Sequence, residues 1–213
     1  MICVSLREPD HRSFVAALAG LELAEIRMDG AALSPDETKD LFARPARLIA
    51  TFRPTGKEGL ELRRTCLSLA IRSGAAYVDL EIDSPPDYRE ELLHIAREKG
   101  CRIILSHHDD HGTPGRPVLE RIVKHCFAAG ADIAKIACRV NAPADVASLL
   151  SLYGKFHPLI ALGMGPLGVL TRVAAPFLGA PFTYASLTSD RPVADGQLDH
   201  KALSEILGKI GGS

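Results

Sequence analysis

Short apolar runs alternate with longer segments of helical character along the whole chain. Each run is rich in Ile, Leu, Val or aromatic residues and is bounded by polar residues, Gly or Pro, which is typical of buried strands. We therefore predict eight strands, at residues 2–6, 23–27, 47–52, 76–82, 102–107, 131–137, 157–163 and 181–187.

The segments between these runs carry signals for helix starts and ends. Ser34 offers an N-cap, followed by Pro35 in the first turn and by Glu37 at the position of a capping-box glutamate. Glycines are common where helices stop. Further starts are predicted at Ser84-Pro85, Thr113-Pro114 and Asn141, and helix ends at Gly20, Gly74, Gly100, Gly130 and Gly154.

Eight consecutive units of a strand followed by a helix predict an α/β fold, a single (β/α)8 TIM barrel formed by residues 1–213. A doubly wound open sheet is the structural alternative. That fold would need a glycine-rich turn after an early strand, and the sequence has none there.

Composition narrows the class of protein further. The 213 residues include 25 Lys and Arg against 26 Asp and Glu, so no broad field favours nucleic acid or an anionic membrane. No apolar run approaches the roughly 20 residues of a membrane span, and the N-terminus lacks a signal-peptide pattern. The five cysteines are scattered, as reduced thiols of a cytoplasmic protein would be.

Polar residues collect where the predicted strands end, which is where barrel enzymes place their chemistry. Asp79 and Glu81 are more often structural partners than catalysts, but several arginines, a glutamate, a histidine and a lysine on one rim suggest a site for an anionic, hydroxyl-rich small molecule. The strand-end residues are Glu25, Arg27, Asp29, Thr51, Arg53, Glu58, Asp79, Glu81, Ser106, His107, His108, Asp109, Lys135, Arg172 and Gln197.

Lys135 stands in the middle of the apolar run ADIAKIA, on the same side as Ile133 and Ala137. A desolvated setting beside arginines disfavours the ammonium and leaves a neutral amine, which can form a Schiff base with a carbonyl. The alternative is a lysine locked in a structural ion pair with Asp29, Glu25 or Glu81. The residues alone do not decide between a Schiff-base lysine and a lysine in a structural ion pair.

The stretch SHHDDH, residues 106–111, contains residue types that bind metals, and metal-dependent hydrolases use this barrel. Adjacent strand residues point to opposite faces, so His107 and His108 cannot both reach one ion. Small, polar Ser106 suits the barrel interior, which predicts that His108 points inward and His107 outward. GMGPLG, residues 163–168, could cradle a phosphate or could allow close backbone packing.

Taken together, these motifs resemble the type I 3-dehydroquinate dehydratase family over the whole chain. EIRMD is similar to the family's ExRxD strand, TFRPTGKEG to its arginine-then-glutamate segment, and LSHHD to the strand that ends in its catalytic histidine. AKIA resembles the Schiff-base lysine strand, GMGPLGVLTR the MGxxGxxSR segment, and DGQL the end of the lid. The order of the motifs is more specific than any one of them.

The resemblance implies dehydration of 3-dehydroquinate to 3-dehydroshikimate through a lysine Schiff base, the third step of the shikimate pathway. Lys135 would be the nucleophile, His108 the general acid and base, and Glu58 the residue that orients His108. The resemblance also implies a cytoplasmic homodimer that needs neither a metal nor an organic cofactor. The residues that it implies for substrate binding are Glu25, Arg27, Arg53, Arg172 and Gln197.

The sequence departs from the family pattern at four points. Val193 stands where a serine usually precedes the lid glutamine, Arg53 and Glu58 are five positions apart instead of four, His107 replaces a common tyrosine, and Thr171 replaces a serine. Two other classes stay open on the residues alone: a class I aldolase-like enzyme that shares the lysine, and a catalytically silent barrel that binds a metabolite or a partner.

Overall fold

Residues 1–53 and 59–211 are described by a computed structural model, and all eight predicted strands are present within them. Every predicted strand end lies within two residues of the observed one. The strands are β1 (Ile2–Leu6), β2 (Leu23–Arg27), β3 (Arg47–Thr51), β4 (Tyr77–Glu81), β5 (Arg102–Asp109), β6 (Ile133–Arg139), β7 (Leu159–Met164) and β8 (Thr183–Ser186).

A helix follows each of these strands in the chain. The helices are α1 (His11–Ala17), α2 (Pro35–Phe42), α3 (Leu60–Arg72), α4 (Pro86–Lys99), α5 (Arg116–Ala128), α6 (Pro143–Leu150), α7 (Val169–Ala174) and α8 (His200–Gly211). Short 3₁₀ turns lie after α6, at Ser151–Gly154, and on either side of α7, at Pro166–Gly168 and Ala175–Leu178.

The strands form one parallel sheet in the order β7-β6-β5-β4-β3-β2-β1-β8. Neighbours in the sheet are neighbours in sequence except for β1 beside β8, which is the strand order of a (β/α)8 barrel. The predicted fold class is therefore confirmed. The strands read as continuous apolar runs because parallel sheets of this kind are covered on both faces.

Contacts within the chain group it into two compact units, Ser5–Ile104 and Met1–Val4 with Leu105–Ser213. In the first unit, large apolar side chains of the helices are fully buried, including Phe14, Phe42 and Leu67. In the second, Leu119, Val123, Leu149 and Leu203 are buried in the same way. The prediction that residues 1–213 form a single domain stays a prediction.

The helix start predicted at Ser34 is confirmed for α2. The starts predicted at Thr113-Pro114 and Asn141 lie two or three residues before the observed first residues of α5 and α6. Ser34 and Glu37 form the predicted capping box. Thr113 does not cap α5, which begins at Arg116, because the Thr113 hydroxyl donates instead to the carbonyl of Arg139 at 2.8 Å. Helix α6 begins after Asn141, because Asp145 reaches back and accepts from the Asn141 amide at 2.8 Å.

The remaining signals agree with the structure more closely. Helix α4 begins at Pro86, one residue after the predicted Ser84-Pro85 start. Its last residue is Lys99, and the C-cap that follows is Gly100. The φ of Gly100, 67°, lies in the left-handed region where a side chain would be strained.

Candidate active site

Lys135 lies at the centre of β6, opposite Ile160 of β7 in the strand register. Only 6% of the residue is exposed, and its neighbours Ala134 and Ile136 are fully buried. Its Nζ lies 4.7 Å from the ring centroid of Tyr184, a buried residue of β8. An aromatic face attracts a cation through its quadrupole, and more strongly when both groups are desolvated. The strand therefore presents a buried lysine amine beside an aromatic ring.

His107 and His108 both lie within β5, which continues two residues further than predicted, to Asp109. Each is half-buried, whereas Ser106 before them is fully buried. Asp109 ends the strand by accepting from the backbone amides of His111 at 2.9 Å and Gly112 at 3.1 Å. Asp109 therefore shapes the turn. The inward direction predicted for His108 stays a prediction.

The metal reading of SHHDDH gains no support from the geometry. Within residues 1–53 and 59–211, no group of three or more His, Cys, Asp or Glu side chains converges as metal ligands would.

Cys138 of β6 is buried. Burial, together with the nearby carboxylates of Asp109 and Asp145, raises the pKa of its thiol to about 12. The thiol is protonated at neutral pH and behaves as a small apolar side chain.

Arg172 is a buried cation on α7, with 3% of the residue exposed. Desolvation lowers the pKa of its guanidinium to about 10, and the charge of Asp195 acts in the opposite direction. The group still carries its charge at neutral pH. Among the residues that the structure describes, its Nε has no hydrogen-bond partner. A buried arginine with an unused donor is suited to binding an anion from outside the protein.

The glycines of GMGPLG allow two backbone segments to touch. A Cβ on Gly163 would lie 2.7 Å from the Cα of Gly168, and a Cβ on Gly168 would lie 2.4 Å from the carbonyl carbon of Gly163. Thr171 closes the same turn, accepting from the Gly163 amide at 2.7 Å and donating to the Gly168 carbonyl at 2.6 Å. This geometry matches the close-packing interpretation of the segment.

Gln197 braces the turn formed by residues 193–197. Its Oε1 accepts from the backbone amides of Val193 at 2.9 Å and Ala194 at 3.1 Å. Backbone amides are donors, so the atom that faces them must be the carbonyl oxygen, and the side-chain NH₂ points the other way. Gly165, just after β7, donates to the carbonyl of Asp195 at 3.2 Å. The turn is thereby attached to the loop that precedes α7.

In the Ser5–Ile104 unit, Glu25 is held by hydroxyls from the strands on either side of β2. Ser5 Oγ donates to its Oε2 at 2.8 Å, and Thr51 Oγ1 donates to its Oε1 at 3.0 Å. The carboxylate is 4% exposed. These two bonds fix its orientation and leave part of its acceptor capacity for another donor.

Arg27 is oriented by Asp29, a fully buried carboxylate two residues further along the chain. The two side chains form a forked pair, with N···O distances of 2.9 and 2.8 Å. Asp29 also accepts from the backbone amide of Arg53 at 3.1 Å and lies 3.7 Å from Arg7. Asp29 is therefore the residue that links Arg27 to the start of the loop after β3.

Arg53 lies between two carboxylates of β4, with its guanidinium nitrogens 2.8 Å from Asp79 and 2.7 Å from Glu81. These contacts are close but are not aligned as hydrogen bonds. Burial by itself lowers the pKa of Arg53, but Asp79, Glu81 and Glu25 outweigh it and hold the pKa above its ordinary value. The structural pairing predicted for Asp79 and Glu81 is confirmed.

In the Ser5–Ile104 unit, the structure brings several predicted residues together. Asp29 links the Arg27 side chain to the Arg53 amide, and the charge of Glu25 helps to raise the pKa of Arg53. Glu58 lies in residues 54–58, outside the described part of the chain.

Asp29 was named from the sequence as a strand-end residue and a possible partner of Lys135, and the structure shows it paired with Arg27. Two residues around the predicted ones were missed from the sequence. Tyr184 gave a weak signal, as an aromatic with a polar tip in an apolar strand. Asp195 gave none, because its contacts with Gly165 and Arg139 depend on loops that are distant in sequence.

Comparison with known proteins identifies the family. The model of the type I 3-dehydroquinase family matches residues 2–213. A 3-dehydroquinate dehydratase of Desulfotalea psychrophila is 33% identical, over 97% of this chain and 95% of that protein.

Solved structures agree with that match. A 3-dehydroquinate dehydratase from Enterococcus faecalis is 25% identical with a TM-score of 0.82, covering 98% of this chain and 92% of that one. A type I enzyme from Clostridium difficile, 23% identical, shares the fold with a TM-score of 0.87, over 99% of this chain and 92% of that one.

None of the helices in the described ranges is long and apolar enough to cross a bilayer. The match to this family over residues 2–213, together with curated relatives that are 3-dehydroquinate dehydratases, favours a hydro-lyase over an aldolase-like enzyme. The chain belongs to the type I 3-dehydroquinase family, and it is an enzyme of that hydro-lyase family.

Proposed function

We propose that this protein dehydrates 3-dehydroquinate to 3-dehydroshikimate through a Schiff base on Lys135, the third step of the shikimate pathway. The observation that carries the proposal is a lysine buried to 94% in mid-strand, against an aromatic face, in a chain of this family. From the family alone, we also propose that it acts in the cytoplasm as a homodimer.

In this mechanism the neutral amine of Lys135 adds to the C3 ketone, and the carbinolamine loses water to give an iminium. The iminium draws electrons from the adjacent carbon, so the C2 proton can leave and an enamine forms. The enamine then expels the C1 hydroxyl as water. Hydrolysis of the product iminium consumes one water and restores the lysine, so that one water is released overall.

His108 is assigned the proton transfers of these steps. It would assist loss of water from the carbinolamine, take the C2 proton and return a proton to the departing hydroxyl, which is work suited to an imidazole. Its place near the end of β5 supports the assignment, since barrel enzymes act at the C-terminal ends of strands. Glu58 is assigned to orient it.

Tyr184 extends the site beyond the residues found in the sequence. Its ring face, 4.7 Å from Lys135 Nζ, would attract the positive charge that this nitrogen acquires when the neutral amine becomes the iminium. A desolvated contact of this kind is worth about 2 kcal/mol. The ring therefore favours the iminium that serves as the electron sink.

Arg172 and Gln197 are assigned to the carboxylate of the substrate. Arg172 offers a buried guanidinium with an unused Nε donor among the described residues, and the NH₂ of Gln197 faces away from the turn that its oxygen braces. Both groups would donate to carboxylate oxygens.

Glu25, Arg27 and Arg53 are assigned to the ring hydroxyls. Each is already fixed by its neighbours: Glu25 by Ser5 and Thr51, Arg27 by Asp29, and Arg53 by Asp79 and Glu81. Side chains locked in this way lose little entropy when a hydroxyl binds, which favours a substrate that presents several of them.

The test begins with the purified protein and 3-dehydroquinate, followed by the ultraviolet absorbance of the enone product. Borohydride reduction in the presence of substrate should then leave a covalent adduct on Lys135, located by mass spectrometry of peptides. Lys135→Ala should abolish turnover and the adduct while weakening ligand binding less. Turnover with an adduct on another lysine, such as the exposed Lys155, would remove the mechanism.

A further inference from the structure

An exposed ion pair ties the turn that carries Gln197 to the end of β6. Nη1 of Arg139, the last residue of that strand, lies 3.0 Å from Oδ2 of Asp195. The two side chains are 43% and 55% exposed. The chemistry at Lys135 requires neither of them, so the pair needs another explanation.

The turn rests on Gly165 through its backbone. The Gly165 amide donates to the Asp195 carbonyl, and Gly196 lies so close that a Cβ on it would come within 2.4 Å of the Gly165 oxygen. Gly165 also lies beneath the ion pair, since a Cβ there would be 3.9 Å from both Arg139 Cζ and Asp195 Oδ2. The Arg139 side chain thus reaches over this contact and holds the turn from outside.

The charge of Asp195 also acts on Arg172, the proposed carboxylate ligand. It raises the pKa of the Arg172 guanidinium, whereas desolvation lowers that pKa. A carboxylate this near the anion site would repel a bound carboxylate if it moved closer. Its pairing with Arg139 both partly neutralises that charge and holds it towards the exposed end of β6.

We propose that Arg139 and Asp195 are positioning residues for binding of the substrate carboxylate: their ion pair holds the turn 193–197 against Gly165 and so presents the Gln197 amide to the anion at Arg172. This inference rests on the proposed function. Exposed ion pairs are weak. The pair can therefore break and re-form as substrate enters and product leaves.

The experiment compares Arg139→Gln, Asp195→Asn and the double variant R139Q/D195N with the parent protein. Arg139→Gln should raise KM for 3-dehydroquinate about three- to fivefold, which is the range that a weak exposed pair allows. Asp195→Asn should raise KM less, because it also removes the charge that would repel the substrate carboxylate. The double variant should be no worse than Arg139→Gln alone, because the two side chains act as one contact. The kcat should stay within about twofold of the parent, since Lys135 and His108 are unchanged.

Two controls separate positioning from general stability. Arg116→Gln breaks another exposed pair of the same 3.0 Å length, with Glu120 on α5, and should leave KM unchanged. Raising the salt concentration should bring the KM of the parent and of Arg139→Gln together, because salt screens the pair that only the parent has. A loss of folded protein would not produce this convergence.

Several outcomes would overturn the inference. They are a parent-like KM in Arg139→Gln, single effects that add in the double variant, or a fall in kcat at unchanged KM. If the parent forms neither product nor a Lys135 adduct, the proposed function fails and this inference falls with it. If the parent turns over and only the variants disagree, the role of the ion pair alone is refuted.

Discussion

Replacing Arg172 with Met should stabilise the folded protein while damaging substrate binding. Arg172 is 3% exposed, and its Nε has no hydrogen-bond partner among the described residues. Methionine is unbranched, flexible and uncharged, so it can replace the apolar stem of the arginine without the desolvation penalty of the guanidinium. The backbone carbonyl of residue 172 keeps its bond from the Thr183 hydroxyl in either protein.

The size of the effect follows from the pKa. Burial lowers the pKa of Arg172 from 12.5 to about 10, and each unit corresponds to about 1.4 kcal/mol, so the folded state carries a penalty of about 3 kcal/mol. The unfolded chain holds this proton more tightly than the folded one does. The penalty is therefore fully present below pH 10 and is relieved only as the pH rises from about 10 towards 12.5. At neutral pH, we expect Arg172→Met to stabilise the protein by about 1–3 kcal/mol.

Arg53→Met is the matched comparison, because it removes a second buried arginine with the opposite shift. The carboxylates of Asp79 and Glu81 hold the pKa of Arg53 above its ordinary value, so its charge stabilises the fold throughout the neutral range. Removing it takes that positive charge away from the buried carboxylate of Asp79 and the partly exposed carboxylate of Glu81. Arg53→Met should destabilise by about 3–5 kcal/mol, the range for breaking a buried pair.

The assay is reversible urea unfolding of the parent and both variants at neutral pH with a thiol reductant, together with steady-state kinetics on 3-dehydroquinate. Arg172→Met should raise the unfolding free energy and weaken substrate binding by about 2–5 kcal/mol, seen as a higher KM. Arg172→Lys keeps a buried charge and should not raise the free energy of unfolding above that of the parent protein. If Arg172→Met is less stable than the parent, Arg172 has a strong partner within the protein and the reasoning about its burial is wrong.

Three further predictions concern the histidines, the turn and metals. His108→Ala should lose about 10²–10⁴-fold in kcat while still forming a borohydride-trapped adduct slowly, whereas His107→Ala should cost about 1 kcal/mol of stability and keep its turnover. The opposite result would reverse the assignment of strand faces. Val193→Ser should lower KM modestly by adding a hydroxyl donor near Gln197, and an unchanged or higher KM would show that this hydroxyl does not reach the carboxylate. Turnover should survive exhaustive chelation, and activity restored by one added metal would favour a metal-dependent reaction.

The sequence was sufficient for the strands, because each is a continuous apolar run that must be buried on both faces. It also predicted the capping box of α2, whose partners Ser34 and Glu37 are three positions apart. Local signals failed where a side chain found a more distant partner. Thr113 donates to Arg139, 26 positions away, and so the helix begins later than the Thr-Pro pair predicts.

For the site, the sequence determined which residue types stand at the strand ends, because strand alternation and the order of motifs are written along the chain. It named Lys135, Arg53 and Arg172 as site residues but not the groups that surround each of them. Only the tertiary structure placed Lys135 against Tyr184, Arg53 between Asp79 and Glu81, and Arg172 in a buried position with its Nε unused among the described residues. The physical reason is that a charge is stabilised or strained by the groups around it in space, and those groups come from other strands and loops whose arrangement no local pattern encodes.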